Sequence, residues 1–360
     1  MAKLKAAVIG AGNISECHIG GYLKHPDVEL YAFCDINPAQ LEKMGKKYNI
    51  TRLYTDKETM LRELPEIDIV SVCTWNAAHA ECAIAALNAG KHVICEKPMA
   101  MNTAEALAMK EAADKNGKLL MIGFVRRHGS DAKTIKGFID DGFFGDIYHA
   151  KARYLRRNGC PGGWFGNKEL SGGGPLIDLG VHVIDMVKYV VGNPKPVSVY
   201  GATFKKLGNR PDIKDRATIT NYASVHKKDI FNVEDMATAL IRFDNGFVLS
   251  VEASFSLNIK KDVGEIEIFG SKAGAKLDPS AAEPLEIFTE TNGYMSNVTL
   301  NNKSLSACGD FFNWEMFNFI DAVQGKAECL APAEDGVDLM RSLDAIYESA
   351  ETGHEVQIKY

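Results

Sequence analysis

Residues 5–15, KAAVIGAGNIS, join an apolar run to a glycine-rich turn, and this stretch decides the fold of the N-terminal part. Gly10, Gly12 and Ser15 occupy the three positions of a G-x-G-x-x-G/A turn that follows a strand and opens a helix. In such a turn the first glycine bends the chain and the second lets the backbone approach a pyrophosphate. The small third residue packs the helix against the strand, and the helix N-terminus faces the phosphate charge. The pattern predicts a dinucleotide-binding loop.

The first third of the chain alternates between apolar runs and helical patterns. The apolar runs are KAAVIG, VELYAFCD, IDIVSVCT, HVICEKP and LLMIGF, and the helical patterns between them cover residues 14–24, 38–48, 77–89 and 103–116. Continuous apolar strands separated by amphipathic helices are typical of parallel strands that are buried on both faces. We therefore predict a doubly wound parallel α/β domain over residues 1–124.

The pattern changes after residue 124. Helices are predicted over residues 131–140 and 175–191, on either side of the polar strand-like run DIYHAKARYLRRN. Residues 197 to about 288 are mostly strand-like, with Asp244-Asn245-Gly246 as a hairpin signal, and helical patterns return at 311–323 and 334–352. We therefore predict a second, α+β domain over residues 125–360 that contains a large antiparallel sheet. Its terminal helices can pack back on the first domain.

Composition excludes several classes of protein. The chain has 360 residues, 46% of them hydrophobic, and a formal net charge of −6, so no basic face of the size that nucleic-acid binding needs is expected. No apolar run approaches the ~20 residues of a membrane span, and the start MAKLKAAVIG leads directly into a strand-like run, so we expect no signal peptide. The eight cysteines are scattered singly, without a C-x-x-C pair. We therefore expect reduced thiols, no zinc site and a cytoplasmic protein.

Asp35 ends the second predicted strand, where an acidic residue accepts the ribose hydroxyls of an adenosine. An NADP enzyme would instead place Arg or Lys nearby to meet the extra phosphate, but Ile36, Asn37 and Pro38 follow. A helix cap or a turn residue is the alternative role for Asp35 alone. Together with the glycine loop, the residue indicates NAD rather than NADP.

Lys97 follows the strand HVICE within the motif CEKPMA. Ligands bind at the carboxyl ends of parallel strands, so this lysine is a candidate for the reaction centre. The alternative is a surface lysine in a loop.

Residues 172–185, GGGPLIDLGVHVID, place Asp178, His182 and Asp185 in an otherwise apolar segment. On a helix these residues share one stripe, since positions three and four apart are neighbours. One interpretation is a solvated polar face, and the other is an acid/base pair that lines a cleft. The three glycines favour the cleft, because they allow a close approach of the backbone to a ligand.

The chain resembles the glucose–fructose oxidoreductase/inositol dehydrogenase (Gfo/Idh/MocA) family nearly from end to end. The resemblance is carried by GAGNIS, Asp35, CTWNAAHAECAIAALNAGKHVICEKPMA, GFVRR, GGGPLIDLGVHVID and APAEDGVDLMRSLDAIYESA. It implies a Rossmann domain followed by a C-terminal domain with a large, mostly antiparallel sheet. It also implies hydride transfer between NAD(P) and a secondary alcohol of a sugar or cyclitol.

The resemblance also assigns roles to individual residues. Lys97, Asp178 and His182 would be catalytic, and Asp185, a further turn away, either supports them or is structural. Cofactor binding would fall to Gly10, Gly12, Asn13, Ile14, Asp35, Thr74, Asn76, His79, Glu96 and Lys97. Substrate binding would fall to Arg126, Asp178 and His182, and no metal would be needed. Arg156 and Trp164 are further candidates for substrate binding, because polar groups can bond sugar hydroxyls and an aromatic face can stack on a pyranose; a loop aromatic that closes the core is the alternative for Trp164. Histidine suits the base because it titrates near neutrality, and a lysine charge can stabilise a developing alkoxide.

Three departures from the family pattern concern the substrate rather than the reaction: Ser15 replaces a glycine, Trp75 replaces a proline and Val125 replaces an asparagine.

Two other functions remain open. One is an NAD-dependent glycoside hydrolase that oxidises a ring hydroxyl transiently, and the other is a dinucleotide-binding regulator without catalysis. A sheet covered by helices on one side only would leave an apolar face, so we expect a homodimer or homotetramer formed through the C-terminal sheet.

Overall fold

The computed structural model describes residues 3–214, 228–281, 283–300 and 311–360. Up to residue 128 the strands and helices alternate, as the sequence predicts. They are β1 (Leu4–Ile9), α1 (Ser15–Lys24), β2 (Val28–Cys34), α2 (Pro38–Tyr48), β3 (Leu53–Tyr54), α3 (Lys57–Glu63), β4 (Ile69–Val72), α4 (His79–Asn88), β5 (His92–Glu96), α5 (Thr103–Asn116) and β6 (Leu120–Gly123). Short 3₁₀ turns cover Asn76–Ala78 and Val125–His128.

The first sheet has six parallel strands in the order β3-β2-β1-β4-β5-β6. This order is that of a doubly wound dinucleotide-binding sheet, in which the direction of winding reverses between β1 and β4. Strands β4 and β6 are buried along their whole length, so the predicted parallel sheet with two covered faces is confirmed. The sequence prediction lacked β3 and α3, because a two-residue strand is too short to show periodicity.

The remaining chain forms a second sheet and its helices. The elements are α6 (Ser130–Asp140), β7 (Ile147–Leu155), α7 (Lys168–Ser171), a π-helical turn (Leu176–Gly180), α8 (Val181–Val190), β8 (Pro196–Phe204), β9 (Met236–Phe243), β10 (Val248–Ser254), β11 (Val263–Gly270), β12 (Ala273–Leu277), β13 (Leu285–Thr291), β14 (Tyr294–Val298), α9 (Phe311–Val323), α10 (Ala333–Thr352) and β15 (Val356–Gln357). A 3₁₀ turn covers Gly163–Gly166.

The second sheet has nine strands in the order β14-β13-β12-β11-β7-β10-β9-β8-β15. Neighbouring strands are antiparallel except β7 and β10, which are parallel. The predicted antiparallel architecture is therefore confirmed. The β9–β10 hairpin turns at Gly246, whose φ of +85° explains why the turn contains glycine.

The two faces of the second sheet differ in character. Side chains such as Ile241, Leu249 and Val251 are buried on the face against which the π-helical turn and α8 pack. The opposite face carries Lys151, Arg153, Glu265 and Glu267 alongside the exposed Leu240 and Tyr200. This face is mixed rather than apolar, because paired charges alternate with the hydrophobic side chains.

The described residues fall into two compact units. The first contains residues 3–128 and 311–340, and the second contains the described part of 129–300 together with 341–360. Helix α9 packs on α1 in the first unit, and α10 contributes to both units. No helix among the described ranges is long and apolar enough to cross a membrane. The cysteines of those ranges are free thiols.

The contact between α1 and α9 depends on one glycine of an adjacent pair. A Cβ added to Gly21 would overlap the Met316 side chain, whereas a Cβ added to Gly20 would have no atom within 4 Å. Gly21→Ala should therefore lower the free energy of unfolding by about 1–3 kcal/mol through overpacking. Gly20→Ala should raise it by up to about 1 kcal/mol, since alanine favours helix. Thermal unfolding of both variants checks this prediction, and equal melting temperatures would contradict the packing of α9 on α1.

Candidate active site

The turn after β1 is shaped by two glycines that act differently. Gly10 has φ +88°, and a Cβ there would lie 2.6 Å from the Cys73 carbonyl oxygen, so only glycine fits beside the end of β4. A Cβ on Gly12 would have no neighbour within 4 Å, so the backbone there is open to a ligand. The buried Ser15 hydroxyl donates to the Gly12 carbonyl at 2.6 Å and closes the turn. Asn13 and Ile14 form the entry to α1, where backbone N–H groups can meet a phosphate.

Asp35 lies at the carboxyl end of β2 and is tied to the glycine turn. One carboxylate oxygen accepts the Ala11 N–H at 2.7 Å, and the other accepts the Asn37 N–H at 2.8 Å. The cap of α2 is Asn37, whose side chain accepts the N–H groups of Ala39 and Gln40, so the helix-cap alternative for Asp35 is wrong. The bond from the Asn37 N–H to Asp35 is typical of a turn residue, the other alternative. Each carboxylate oxygen retains a lone pair for a ribose hydroxyl. These residues fit the adenosine and pyrophosphate of a dinucleotide.

His79 links the ends of β4 and β5. Its Nδ1 lies 2.7 Å from the Pro98 carbonyl oxygen, and its Nε2 lies 3.2 Å from the Thr74 carbonyl oxygen. Burial lowers the pKa of His79, which favours the neutral ring, so we assign the single proton to Nδ1 in the shorter contact. The imidazole is 1% exposed and Asn76 is also buried. With this tautomer His79, one of the predicted cofactor residues, holds the Pro98 backbone, because an unprotonated Nε2 has no proton to donate to the Thr74 carbonyl oxygen.

Lys97 follows β5 directly and is held through its neighbour. The Glu96 carboxylate accepts the Lys97 backbone N–H at 3.1 Å and lies 3.0 Å from Nε2 of His18, which is fully buried. The contacts continue from His18 Nδ1 to Ser71 Oγ, and from Ser71 Oγ to the Tyr22 hydroxyl. Burial would raise the pKa of Glu96, but the His18 hydrogen bond and the charges of His18 and Lys97 outweigh it and lower the pKa. Glu96 is therefore an anion that anchors the backbone of Lys97.

A second buried carboxyl group lies in the same unit. Glu315 on α9 is 0% exposed, and neither of its oxygens has a hydrogen-bond partner in the described part of the chain. Burial, and then the negative charge of Glu96, raise the pKa of Glu315 well above its ordinary value. The direction of this shift favours the neutral acid at Glu315, whereas the opposite shift favours the anion at Glu96.

In the second unit, Asp178 lies within the π-helical turn and His182 in the first turn of α8. Asp178 is 8% exposed, Asp185 is 2% exposed and His182 is half-buried, so the interpretation as a solvated polar face is wrong. The uniform helix predicted from residue 175 is also wrong, because the Val181 N–H bonds to the Leu176 carbonyl five residues back. Such π turns are frequent at functional sites, and the additional residue changes the direction of the side chains that follow.

The three glycines before this segment accommodate protein groups. Gly172 has φ +82° and ends α7. A Cβ on Gly173 would overlap the Tyr347 hydroxyl, and a Cβ on Gly174 would overlap the Glu234 carbonyl oxygen. Gly173 and Gly174 therefore make room for Tyr347 and Glu234, and the interpretation that they make room for a ligand is wrong.

The predicted substrate residues fall in both units. Arg126 lies in the first, with its guanidinium 5.8 Å from the centroid of the Phe311 ring. In the second unit, the buried Arg156 donates to the Gly159 carbonyl at 2.8 Å, and Trp164 stacks on Phe165 with centroids 4.0 Å apart. Burial raises the pKa of the Cys160 thiol to about 11, and the charges of both Asp178 and Arg156 act on it. The fold therefore brings Asp178 and Arg156 to one neighbourhood around Cys160.

Sequence reasoning missed His18, Glu315, Glu234 and Tyr347. His18 and Glu96 are separated by 78 positions and meet only through the parallel sheet, so local spacing gives no signal. The glycine run at 172–174 was the signal for Glu234 and Tyr347, because it indicated a close approach without naming the partner. No cluster of metal-binding side chains occurs in the described ranges.

Comparisons with known proteins cover the whole chain. Residues 4–124 match the family model GFO_IDH_MocA, described as an oxidoreductase family with an NAD-binding Rossmann fold, and residues 136–358 match its C-terminal alpha/beta domain. A D-glucoside 3-dehydrogenase of Escherichia coli is 38% identical over 99% of this chain and 97% of the relative. A myo-inositol 2-dehydrogenase of Thermotoga maritima is 26% identical over 92% of each chain. A levoglucosan dehydrogenase solved with NADH and levoglucosan superposes with a TM-score of 0.85 at 25% identity, covering 99% of this chain and 100% of that one.

The position of Asp35 generates a test of cofactor choice that needs no substrate. Asp35→Ser removes the charge that would repel a 2′-phosphate, so NADPH should bind about tenfold more tightly than it does to the unmodified protein, equivalent to about 1.4 kcal/mol. Asp56→Ser is the matched control, since it removes a carboxylate that caps α3 and leaves a capping hydroxyl. Titration of protein fluorescence with NADH and NADPH measures both affinities. Equal binding of the two cofactors by the unmodified protein would contradict the assignment.

Proposed function

The chain belongs to the GFO_IDH_MocA oxidoreductase family, and we propose that it oxidises the C3 hydroxyl of a D-glucoside with NAD as the acceptor. The observation that carries the proposal is the 38% identity to a D-glucoside 3-dehydrogenase over nearly the full length of both chains. The residues to which we assign the reaction are Lys97, which follows β5, Asp178 in the π turn and His182 in the first turn of α8.

The proposed catalytic roles follow from the chemistry of alcohol oxidation. The nicotinamide of NAD, when bound, supplies the acceptor for the hydride that leaves the carbinol carbon. His182 takes the proton of the substrate hydroxyl, since an imidazole titrates near neutrality. Asp178 orients that imidazole or binds a neighbouring hydroxyl. The Lys97 ammonium stabilises the negative charge that develops on the substrate oxygen.

The cofactor residues have proposed roles along the carboxyl edge of the first sheet. Gly10, Gly12, Asn13 and Ile14 hold the pyrophosphate, and Asp35 holds the adenosine ribose. Thr74, Asn76, His79, Glu96 and Lys97 shape the nicotinamide end. Asp35 selects NAD over NADP, because its carboxylate would repel a 2′-phosphate at short range. Residues 1–124 are accordingly the proposed NAD-binding domain, and residues 125–360 the proposed substrate and oligomerisation domain.

Substrate recognition is assigned to Arg126, Arg156, Trp164, Asp178 and His182. The half-buried Trp164 offers an aromatic surface on which the apolar face of a sugar ring can stack. Arg156 supplies a guanidinium whose remaining donors can reach ring hydroxyls, while one donor holds Gly159. Such a combination of an aromatic face and few polar groups is typical of small-molecule sites.

Turnover with a panel of glucosides, free sugars and cyclitols tests the proposed function, with NADH formation read by absorbance. Lys97→Ala and His182→Ala should each lower kcat by about 10²–10⁴-fold, the usual effect of losing acid–base catalysis, and should leave NADH affinity nearly unchanged. Lys91→Ala and His354→Ala are the matched controls, since Lys91 bonds to the Pro65 carbonyl and His354 is exposed.

Three outcomes would overturn the proposal. Near-normal turnover of the His182 variant would mean that this residue has a structural role and not a catalytic one. Cleavage of the glycoside without net NADH would identify the transient-oxidation hydrolase instead. NADH binding without turnover of any member of the panel would favour a regulator.

The proposed partner is a second copy of the chain, bound through the open face of the nine-stranded sheet. On that face Leu240 is 48% exposed and lies opposite Tyr200, which is 54% exposed, beside the charged pairs of β7 and β11. Leu240→Lys should lower the mass measured by light scattering at micromolar concentration. Leu107→Lys, on an exposed leucine of α5, is the control and should not change it. A monomeric mass for the unmodified protein would contradict this assembly.

A further inference from the structure

We propose that Glu234 and Tyr347 form a positioning pair that fixes the start of the segment carrying Asp178 and His182. The inference rests on the proposed function, because it treats that segment as part of the reaction centre. Neither residue belongs to the catalytic or substrate-binding residues assigned above. Both lie in the second unit, on segments far apart in the chain.

The pair is defined by two hydrogen bonds to one buried carboxylate oxygen. Oε1 of Glu234 accepts the Tyr347 hydroxyl at 2.9 Å and the Leu176 backbone N–H at 3.3 Å. Leu176 is the first residue of the π-helical turn, so the carboxylate satisfies an N–H that has no partner within the helix. Glu234 therefore acts as a cap supplied from 58 residues away.

The glycine run shows that this arrangement is tightly constrained. Gly173 lies against the Tyr347 hydroxyl, and Gly174 lies against Glu234, so that a methyl group at either position would displace the pair. Ser171 fixes the same turn from the other side, because its hydroxyl donates to the Gly173 carbonyl at 2.8 Å. The glycines are thus needed for contact between the pair and the backbone that precedes Asp178.

The directions of the two pKa shifts are compatible with these roles, because Oε1 of Glu234 can accept both hydrogen bonds whether or not the other oxygen carries a proton. Burial raises the pKa of Glu234, while hydrogen bonds from Tyr347 and from the backbone of Gly174 and Leu176 oppose the shift. Burial and the Glu234 carboxylate raise the pKa of Tyr347, so the phenol keeps its proton and donates it. A buried acceptor that loses one donor is left partly unsatisfied, which destabilises the position it holds.

The path from the pair to the catalytic residues is short. The Asp178 N–H donates to the Gly174 carbonyl at 3.1 Å, and His182 follows one turn later. Leu179, between them, packs with Cys160, Ala253 and Phe255. The segment is therefore held by the core at Leu179 and by the pair at Gly174 and Leu176. Loss of the second anchor would let the first turn move while the core contact remains.

The test compares Tyr347→Phe, Glu234→Gln and Glu234→Leu with the control Tyr360→Phe, which removes a tyrosine hydroxyl bonded to the Pro196 carbonyl in the same unit. Tyr347→Phe and Glu234→Leu should lower kcat by about 10- to 100-fold, since a small misplacement of catalytic groups has effects of this size. KM and NADH affinity should change little. Glu234→Gln should retain most of kcat, because its amide oxygen can accept both hydrogen bonds. Tyr360→Phe should match the unmodified protein.

Hydrogen exchange of the amides of residues 174–183 gives a readout that is independent of substrate. Faster exchange there in Tyr347→Phe and Glu234→Leu, but not in Tyr360→Phe or Glu234→Gln, is the expected result. If the unmodified protein turns over and Tyr347→Phe loses thermal stability but keeps kcat, the pair is merely structural and the proposal is overturned. If no substrate is turned over, the proposed function fails by itself. Unchanged hydrogen exchange of residues 174–183 in Tyr347→Phe would then also overturn the proposal that the pair anchors this segment.

Discussion

The close approach of Gly10 to the carbonyl group of Cys73 is the constraint on which the first unit depends. It brings the turn after β1 against the end of β4, and Asp35 then reaches the same turn through the Ala11 N–H. His79 extends the connection to Pro98, next to Lys97. Apart from the Gly10 contact, the residues at this edge are therefore held by hydrogen bonds between the side chains of Asp35 and His79 and the backbone. The second unit uses the same device, since Gly173 and Gly174 let the backbone approach Tyr347 and Glu234.

Three buried carboxyl groups accompany these close approaches, and each is stabilised differently. Glu96 is paired with His18 and accepts a backbone N–H, so it stays charged. Glu234 is held by a tyrosine hydroxyl and a backbone N–H. Glu315 has no hydrogen-bond partner in the described ranges, and burial raises its pKa, which favours the neutral acid. Burial of a carboxylate is expensive unless it is compensated. Glu96 directly precedes Lys97, and Glu234 bonds to the backbone of Leu176, two residues before Asp178, so positioning explains the burial of both groups.

The sequence predicts more of the fold than of the site. The parallel sheet, its cofactor turn and the antiparallel second sheet all follow from periodicity and turn residues, because both depend on neighbours in sequence. The sequence does not predict strand β3, because that strand has only two residues. It does not predict the π turn either, because the pattern of apolar positions there is that of an ordinary helix. The expectation that the open face of the second sheet is apolar is wrong. Cross-strand pairs such as Lys151 with Glu267 place charges on that face, and such pairs can be recognised only once the strand register is known. Contacts such as His18 with Glu96 likewise need the tertiary fold.

The proposed reaction transfers the hydride at C3 of a D-glucoside to NAD. A methyl glucoside that carries deuterium only at C3 distinguishes this reaction from oxidation at any other carbon, when the NADH formed is examined by mass spectrometry. We expect NADH that is heavier by one mass unit, together with a sugar product that has lost its label. Unlabelled NADH from this substrate, with label retained in the product, would contradict the claim.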